Sequence, residues 1–167
     1  AYEIRNCDWS SDVCSSDLAP QAAATSPVTV PDFRLTEASG RTVGRADLQG
    51  RVWVASFIFT RCATVCPRMM RVETALQEQL PRRDDLWLVT FSVDPEFDTP
   101  QVLTDYAAGF GVDRRNWWFL TGDRPTIWKL AQEGFQLTTA EAPADAMPIL
   151  HSSQLDRKST RLNSSHS

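Results

Sequence analysis

The sequence predicts an α/β fold in which a mixed central sheet is flanked by helices. Three apolar segments of strand length, rich in β-branched and aromatic residues, predict buried strands at 52–59, 86–93 and 117–120. Segments with the helical spacing of apolar residues follow these strands, near 66–80, at 100–109 and after Asp123. Because strands alternate with helices along the chain, we expect the helices to cover a sheet that contains parallel strands.

Capping residues mark where the helices begin. Pro67 has no N–H to donate and its fixed φ suits the first helical turn, so a helix is predicted to begin near Cys66. Thr99-Pro100 combines an N-cap residue with a proline at the first helical position, and Asp123 is a further N-cap. Each of these helices is therefore expected to begin shortly after the end of a buried strand.

The domain itself is predicted to span residues 31–155. Residues 19–30 contain alanine, proline and polar residues with little apolar pattern, which predicts a linker. Residues 31–50 predict a short strand, a turn at Ser39-Gly40 and a hairpin-like lead-in. Residues 149–155 predict the start of a further strand, and the fold is expected to be truncated there, at its C-terminal end.

The two tails, 1–18 and 156–167, are predicted to be derived from a sequencing adapter. Residues 8–18 and 156–165 can be encoded by complementary strands of one DNA segment, which resembles such an adapter. Both tails are therefore set aside in the fold argument, as an expression scar would be.

This exclusion leaves few candidate metal ligands. Three cysteine and histidine residues lie in the tails: Cys7, Cys14 and His166. Three remain in the domain: Cys62, Cys66 and His151. A zinc or iron–sulfur site built from four cysteines is thereby excluded.

The charge of the chain excludes further classes of function. The formal net charge is −4, and basic residues are interspersed with acidic ones. We therefore expect neither a nucleic-acid-binding surface nor a polybasic membrane-binding patch.

Cys62 and Cys66 are predicted to lie between the strand 52–59 and the following helix, at a solvent-facing helix end. Because residues four apart in a first helical turn share a face, the two thiols can bind one soft ion or close a disulfide. The positive end of the helix dipole is expected to lower the pKa of both thiols. Three arginines are expected to lower it further: Arg61, Arg68 and Arg71. The alternative is a pair of buried, inert cysteines, but core packing gives no reason for the CxxxCP spacing.

His151 determines which metal the site would suit. A lone histidine is more often a surface or core residue than a ligand, so the residues alone leave its role open. Two cysteines and a histidine would suit copper, because thiolate selects Cu(I) and imidazole also accepts Cu(II). Zinc fits less well, since structural zinc is almost always bound by four ligands.

Other candidate ligands have simpler interpretations. Met69 and Met70 have helical spacing and are expected in the core. Three acidic residues that could suggest a hard-cation site are predicted to serve in turns and caps: Asp94, Glu96 and Asp98. Trp117 and Trp118 are expected to lie on a strand with one indole inside and the other outside.

Four segments, in their order and spacing, resemble the Sco/SenC family. These are FIFTRCATVCPRM at 57–69, SVDPEFDTP at 92–100, WFLTG at 118–122 and His151-Ser152. The resemblance covers nearly all of 31–155. It implies a thioredoxin-like fold, anchored to a membrane and facing the periplasm at the bacterial inner membrane, or facing the mitochondrial intermembrane space.

The resemblance also implies a function. It implies a metallochaperone, rather than an enzyme, that binds Cu(I) or Cu(II) through Cys62, Cys66 and His151. The implied partner is the subunit of cytochrome c oxidase that carries the binuclear copper site, and other periplasmic copper carriers are candidate partners. Family members often have aspartate directly before the histidine, whereas this chain has Leu150. Asp145 or Asp94 would then have to orient the imidazole.

A thiol–disulfide oxidoreductase that uses Cys62 and Cys66 to reduce partner cysteines is the alternative function. The predicted low thiol pKa favours it, but thioredoxin-type exchangers use CxxC spacing and have no need of His151. A peroxidase is disfavoured, because the PxxxTxxC pattern would need threonine where Phe59 and Ala63 stand.

Overall fold

A computed structural model describes residues 30–79 and 86–137, and the backbone of 156–159. The strands are β1 (Arg34–Glu37), β2 (Thr42–Gly44), β3 (Val52–Ile58), β4 (Leu86–Ser92), β5 (Trp117–Thr121) and β6 (Asp156–Ser159). The α-helices are α1 (Val65–Gln79), α2 (Pro100–Gly109) and α3 (Arg124–Lys129). A 3₁₀ turn covers Arg45–Leu48, and a π-helical turn, Leu130–Gly134, continues α3. The predicted N-caps are confirmed, because the side chains of Thr99 and Asp123 accept hydrogen bonds from the first turns of α2 and α3.

The strands form one mixed sheet in the order β2-β1-β5-β4-β3-β6. β3, β4 and β5 are parallel, whereas β1, β2 and β6 are added in antiparallel orientation. The predicted α/β fold with a mixed sheet is therefore confirmed. Within 30–79 and 86–137, no helix is both long and apolar enough to span a lipid bilayer.

The central strands are buried along most of their length. Trp53, Phe57 and Phe91 pack with Phe135, and the rings of Phe57 and Phe91 are stacked 5.0 Å apart. The prediction that one indole of β5 faces outward is wrong, since Trp117 is fully buried and Trp118 is only 6% exposed. Trp118 shares a face of the sheet with Phe57, since it pairs with Val89, two residues before the Phe91 that pairs with Phe57. It is covered because its ring packs edge-on against Trp87, 4.8 Å away.

Helix α1 turns one face toward the core. Cys66, Met69, Met70 and Glu73 are buried on that face, which confirms that the two methionines are core residues. Val72, although apolar, is exposed. Glu73 takes the core position that a purely apolar helical pattern would leave for a hydrophobic side chain.

Strand β6 lies within the tail that the sequence predicts to be adapter-derived. Its backbone pairs with β3, with Val52 opposite Ser159 and Ala55 opposite Asp156. The edge of a sheet offers unpaired N–H and C=O groups to any extended segment, so this pairing does not depend on the side chains of the tail. The origin of the tails thus stays a prediction, and the strand predicted at 149–155 lies outside the described residues.

Candidate functional site

The two cysteines lie where the sequence predicts, in the segment 59–66 between β3 and α1, here called the cysteine turn. The turn is closed by the backbone N–H of Cys62, which donates to the carbonyl of Phe59 at 3.1 Å. The N–H of Cys66 then donates to the sulfur of Cys62 at 3.4 Å. Both thiols are free, and the start of α1 brings them together as the four-residue spacing predicts.

The thiols are less exposed than expected. Arg61, Ala63 and Thr64 are exposed, but the cysteines themselves are only 6% and 4% exposed. The expectation of a solvent-facing thiol pair is therefore wrong for the side chains, although the turn that carries them is at the surface. Core residues cover the sulfurs because both cysteines belong to the same apolar cluster as β3.

The two thiols also differ in acidity. Burial raises the pKa of Cys62, but N–H groups of Cys66, Thr64 and Val65 at the head of α1 more than offset it, so the pKa lies below its ordinary value. For Cys66, burial dominates and raises the pKa to about 12; the backbone of Phe59 lowers it only in part. The prediction of two acidic thiols is thus confirmed for Cys62 and wrong for Cys66.

Arg61 does not act on the thiols in the way the sequence predicts. Its guanidinium donates to the carboxylate of Asp94, with Nε 3.0 Å from the oxygen, and it stacks over the ring of Phe97 at 4.7 Å. Asp94 is 2% exposed and also forms an ion pair with Arg124 at 3.6 Å. Because two guanidinium groups already occupy this carboxylate, Asp94 is a poor candidate for orienting the imidazole of His151.

Asp98 contacts the cysteine turn, and this is the main feature of the site that the sequence did not predict. It is fully buried and accepts hydrogen bonds from the hydroxyl of Ser92 at 2.5 Å, from the N–H of Thr60 at 3.1 Å and from the Thr60 hydroxyl. The sequence did carry a signal for it. β3 and β4 are parallel neighbours, so the acidic residues directly after β4 must meet the cysteine turn at the same edge of the sheet.

The acidic residues do not assemble a cation site. Glu96 is exposed and pairs with Arg124, whereas Asp94 and Asp98 are held by separate donors. Among residues 30–79 and 86–137, no group of three or more histidine, cysteine or acidic side chains is arranged to hold a metal ion. His151 and Asp145 lie outside the described residues, so the ligand role of His151 stays a prediction.

Glu73 is the second residue that the sequence analysis missed. It is 1% exposed in the middle of α1, and neither carboxyl oxygen has a hydrogen-bond partner of good geometry in the described structure. Burial raises the pKa of Glu73 to about 7, and the nearby hydroxyl of Ser56 lowers it only in part. Helical spacing from Cys66, Met69 and Met70 puts Glu73 on the buried face of α1, whereas Glu78, the other acid of the helix, is exposed.

Comparison with known proteins identifies relatives of the whole domain. The SCO1/SenC family profile matches residues 21–155. A SCO1 protein homolog of Bacillus subtilis is 36% identical over 126 residues, which are 74% of this chain and 65% of that protein. The chain thus spans just under two thirds of the length of that relative.

Solved structures are similar in fold. BsSco, described as a member of the Sco family of cytochrome c oxidase assembly proteins with a disulfide switch, is 38% identical with a TM-score of 0.62, over 67% of each chain. Copper-bound ScoI of Bradyrhizobium japonicum is 25% identical with a TM-score of 0.58, over 77% of this chain and 78% of that one. The fold predicted from the resemblance, a thioredoxin-like one, is confirmed by these matches.

Proposed function

The chain belongs to the SCO1/SenC family, and from that premise we propose that it is a copper metallochaperone. In this proposal Cys62, Cys66 and His151 bind one copper ion and pass it to the binuclear copper site of cytochrome c oxidase. The protein acts as a carrier and not as an enzyme, and it works at the periplasmic face of the bacterial inner membrane. Other periplasmic copper carriers are candidate donors to it.

The observation that carries the proposal is the pair of free thiols at the head of α1. The backbone N–H of Cys66 donates to the sulfur of Cys62, with the nitrogen 3.4 Å from the sulfur, so the turn holds the Cys62 thiol beside Cys66. Two sulfur donors suit Cu(I), and an added imidazole suits either oxidation state of copper. The copper-bound structure of a relative supports the choice of metal.

The proposed ligand set would also allow release of the ion. A set of three ligands leaves room for a thiolate of the partner to attack the copper, after which the bonds to the chaperone break one at a time. The ion keeps its charge throughout, and the chaperone cysteines recover protons from water. The exposed neighbours of Cys62, namely Arg61, Ala63 and Thr64, provide the surface on which such a partner would approach.

Copper loading of the purified chain tests the proposal. We expect one copper ion per chain, loss of that ion in Cys62→Ala and Cys66→Ala, and much weaker binding in His151→Ala. His166→Ala is the matched control, because it removes the other histidine of the chain and should change nothing. Full copper binding by Cys62→Ala would refute the proposal, and full affinity of His151→Ala would refute the ligand role of that histidine.

A thiol–disulfide oxidoreductase is the second candidate. Here Cys62 and Cys66 lose two electrons and two protons to a partner disulfide, which is reduced to two thiols while the chaperone pair becomes a disulfide. The N–H groups that lower the pKa of Cys62 favour this chemistry, and the disulfide switch described for BsSco supports it.

Reduction of insulin disulfides separates the two functions. An oxidoreductase should keep its rate in His151→Ala and lose it in Cys62→Ala. A chain that binds copper but does not reduce insulin would support the metallochaperone alone.

A further inference from the structure

We propose that Asp98 is a positioning residue for the copper site and that it acts through Thr60. The inference rests on the proposed function, because it concerns how the cysteine turn is held for the metal. Asp98 itself is not a ligand in this proposal. Its carboxylate is fully buried and already accepts three hydrogen bonds, and an oxygen donor is poorly matched to Cu(I).

The contacts of Asp98 reach the centre of the cysteine turn. The hydrogen bond from Cys62 N–H to the carbonyl of Phe59 defines a β-turn whose two central residues are Thr60 and Arg61. Thr60 donates both its N–H, at 3.1 Å, and its hydroxyl to Asp98. The first central residue of the turn is therefore fixed by one buried carboxylate.

The second central residue is held by the same loop. Arg61 donates to Asp94, and the N–H of Asp98 donates to the carbonyl of Asp94 at 2.9 Å. Both central residues of the turn that ends at Cys62 are thus hydrogen-bonded to aspartates of the loop between β4 and α2. The sulfur of Cys62 in turn accepts the N–H of Cys66, so the position of the turn decides where the two thiols meet.

Asp98 is itself tied to the ends of β4 and β3 by hydrogen bonds. The hydroxyl of Ser92, the last residue of β4, donates to Asp98, and the N–H of Val93 donates to the carbonyl of Ile58 at the end of β3, at 2.8 Å. Groups that orient metal ligands from outside the coordination sphere typically change metal affinity by about 10- to 100-fold when removed. We expect an effect of that size from the Thr60 hydroxyl.

Two substitutions of Thr60 test the inference. Thr60→Val keeps the shape and the N–H but removes the hydroxyl, and Thr60→Ser restores a hydroxyl. Thr126→Val is the matched control, because the Thr126 hydroxyl also donates to an aspartate, Asp123, at 2.9 Å, but at the head of α3. Each variant is first checked for native thermal unfolding.

Two readouts are compared in the full chain. One is the copper affinity and the sulfur-to-copper absorption spectrum; the other is the alkylation rate of the thiols in the copper-free protein. We expect Thr60→Val to weaken copper binding by about 10-fold or more, to shift the spectrum and to change the alkylation rate. Thr60→Ser and Thr126→Val should match the parent protein.

The outcomes distinguish this inference from the proposed function. If the parent chain binds copper but Thr60→Val keeps the same affinity, spectrum and alkylation rate, the hydrogen bond between the Thr60 hydroxyl and Asp98 does not position the copper site, and the proposal fails. If the parent chain binds no copper, the metallochaperone proposal fails, and the alkylation rate alone decides whether Asp98 positions the thiols.

Discussion

Asp98 and Glu73 are two fully buried carboxyl groups, one beside the cysteine turn and the other in the middle of α1, and they differ in their hydrogen bonding. Asp98 accepts three hydrogen bonds, whereas Glu73 has no hydrogen-bond partner of good geometry in the described structure. Burial is the same in the two cases, so burial alone does not say whether an acid stabilises a protein. The donors within reach decide it.

The backbone explains where those donors come from. Asp98 lies in a loop, opposite a turn whose N–H and hydroxyl groups are not used by secondary structure. Glu73 lies in mid-helix on the core side of α1, and the N–H groups of the central strands are already hydrogen-bonded within the sheet. The nearest hydroxyl, Ser56, is bonded to Thr90 at 3.0 Å, and Thr90 also accepts from Trp117 Nε1 at 2.8 Å.

Removing Asp98, the acid that accepts three hydrogen bonds, should have the largest effect on stability. Asp98→Ala removes three hydrogen bonds to one carboxylate, from the buried hydroxyl of Ser92 and from the half-buried N–H and hydroxyl of Thr60. We therefore expect the free energy of unfolding to fall by about 3–5 kcal/mol. Urea unfolding measures it. Asp123→Ala is the control, because this exposed N-cap also accepts two bonds from Thr126 and should cost only about 1 kcal/mol. Equal losses in the two variants would show that the burial of Asp98 adds nothing.

Glu73, the acid without a hydrogen-bond partner of good geometry, should make the free energy of unfolding depend on pH. Burial raises the pKa of Glu73 from 4.5 to about 7, so the folded chain keeps a proton that the unfolded chain has released. This contribution is complete below about pH 4.5 and is lost as the pH rises to about 7, a total of about 3 kcal/mol.

Urea unfolding across this pH range, in the parent and in Glu73→Gln, isolates the contribution. Burial also raises the pKa of Asp98, so Asp98 changes the stability with pH in the same direction as Glu73. This contribution is present in both proteins and cancels in the comparison. Glu78→Gln, which changes an exposed acid of the same helix, is the matched control for the loss of one carboxyl group. A parent profile that matches that of Glu73→Gln would mean that Glu73 is ionised in the folded chain.

Replacing the unsatisfied acid with an apolar side chain should stabilise the protein. Glu73→Met removes two unpartnered oxygens from the core at similar volume, so we expect a gain of about 1–3 kcal/mol at pH 8. Thermal or urea unfolding measures it. Glu78→Met, on the exposed face, should stay within about 0.5 kcal/mol of the parent. A loss of stability in Glu73→Met would indicate that the carboxylate has a favourable partner.

The smallest expected changes in stability come from removing single hydroxyl groups, one with a hydrogen-bond partner and one without. The Tyr106 hydroxyl is buried without a hydrogen-bond partner in the described structure, so Tyr106→Phe should stabilise the protein by about 1 kcal/mol. Ser56→Ala removes a hydroxyl that is bonded to Thr90 and should cost about 1 kcal/mol. If the tyrosine hydroxyl proves the more costly to remove, it has a partner in solution.

Local chemistry was enough to predict much of this protein. The strands β3, β4 and β5, the start of α1 at the cysteines, and the caps Thr99 and Asp123 follow from rules that involve only neighbouring residues. The proximity of the two cysteines was predicted for the same reason, since four-residue spacing at a helix start brings two side chains together, whereas their free state comes from the structure. The ligand role of His151 rests on the family resemblance and stays a prediction.

Tertiary packing decided the rest. Ring packing against Trp87 buried Trp118, and the burial of Cys66 in the core reversed the predicted direction of its pKa. The sequence by itself placed Asp98 in a turn and Glu73 on a helix, but it did not say what each would face. Burial and hydrogen bonding depend on which distant elements pack together. The parallel pairing of β3 with β4 brings Asp98 to the cysteine turn, and the packing of α1 turns Glu73 into the core.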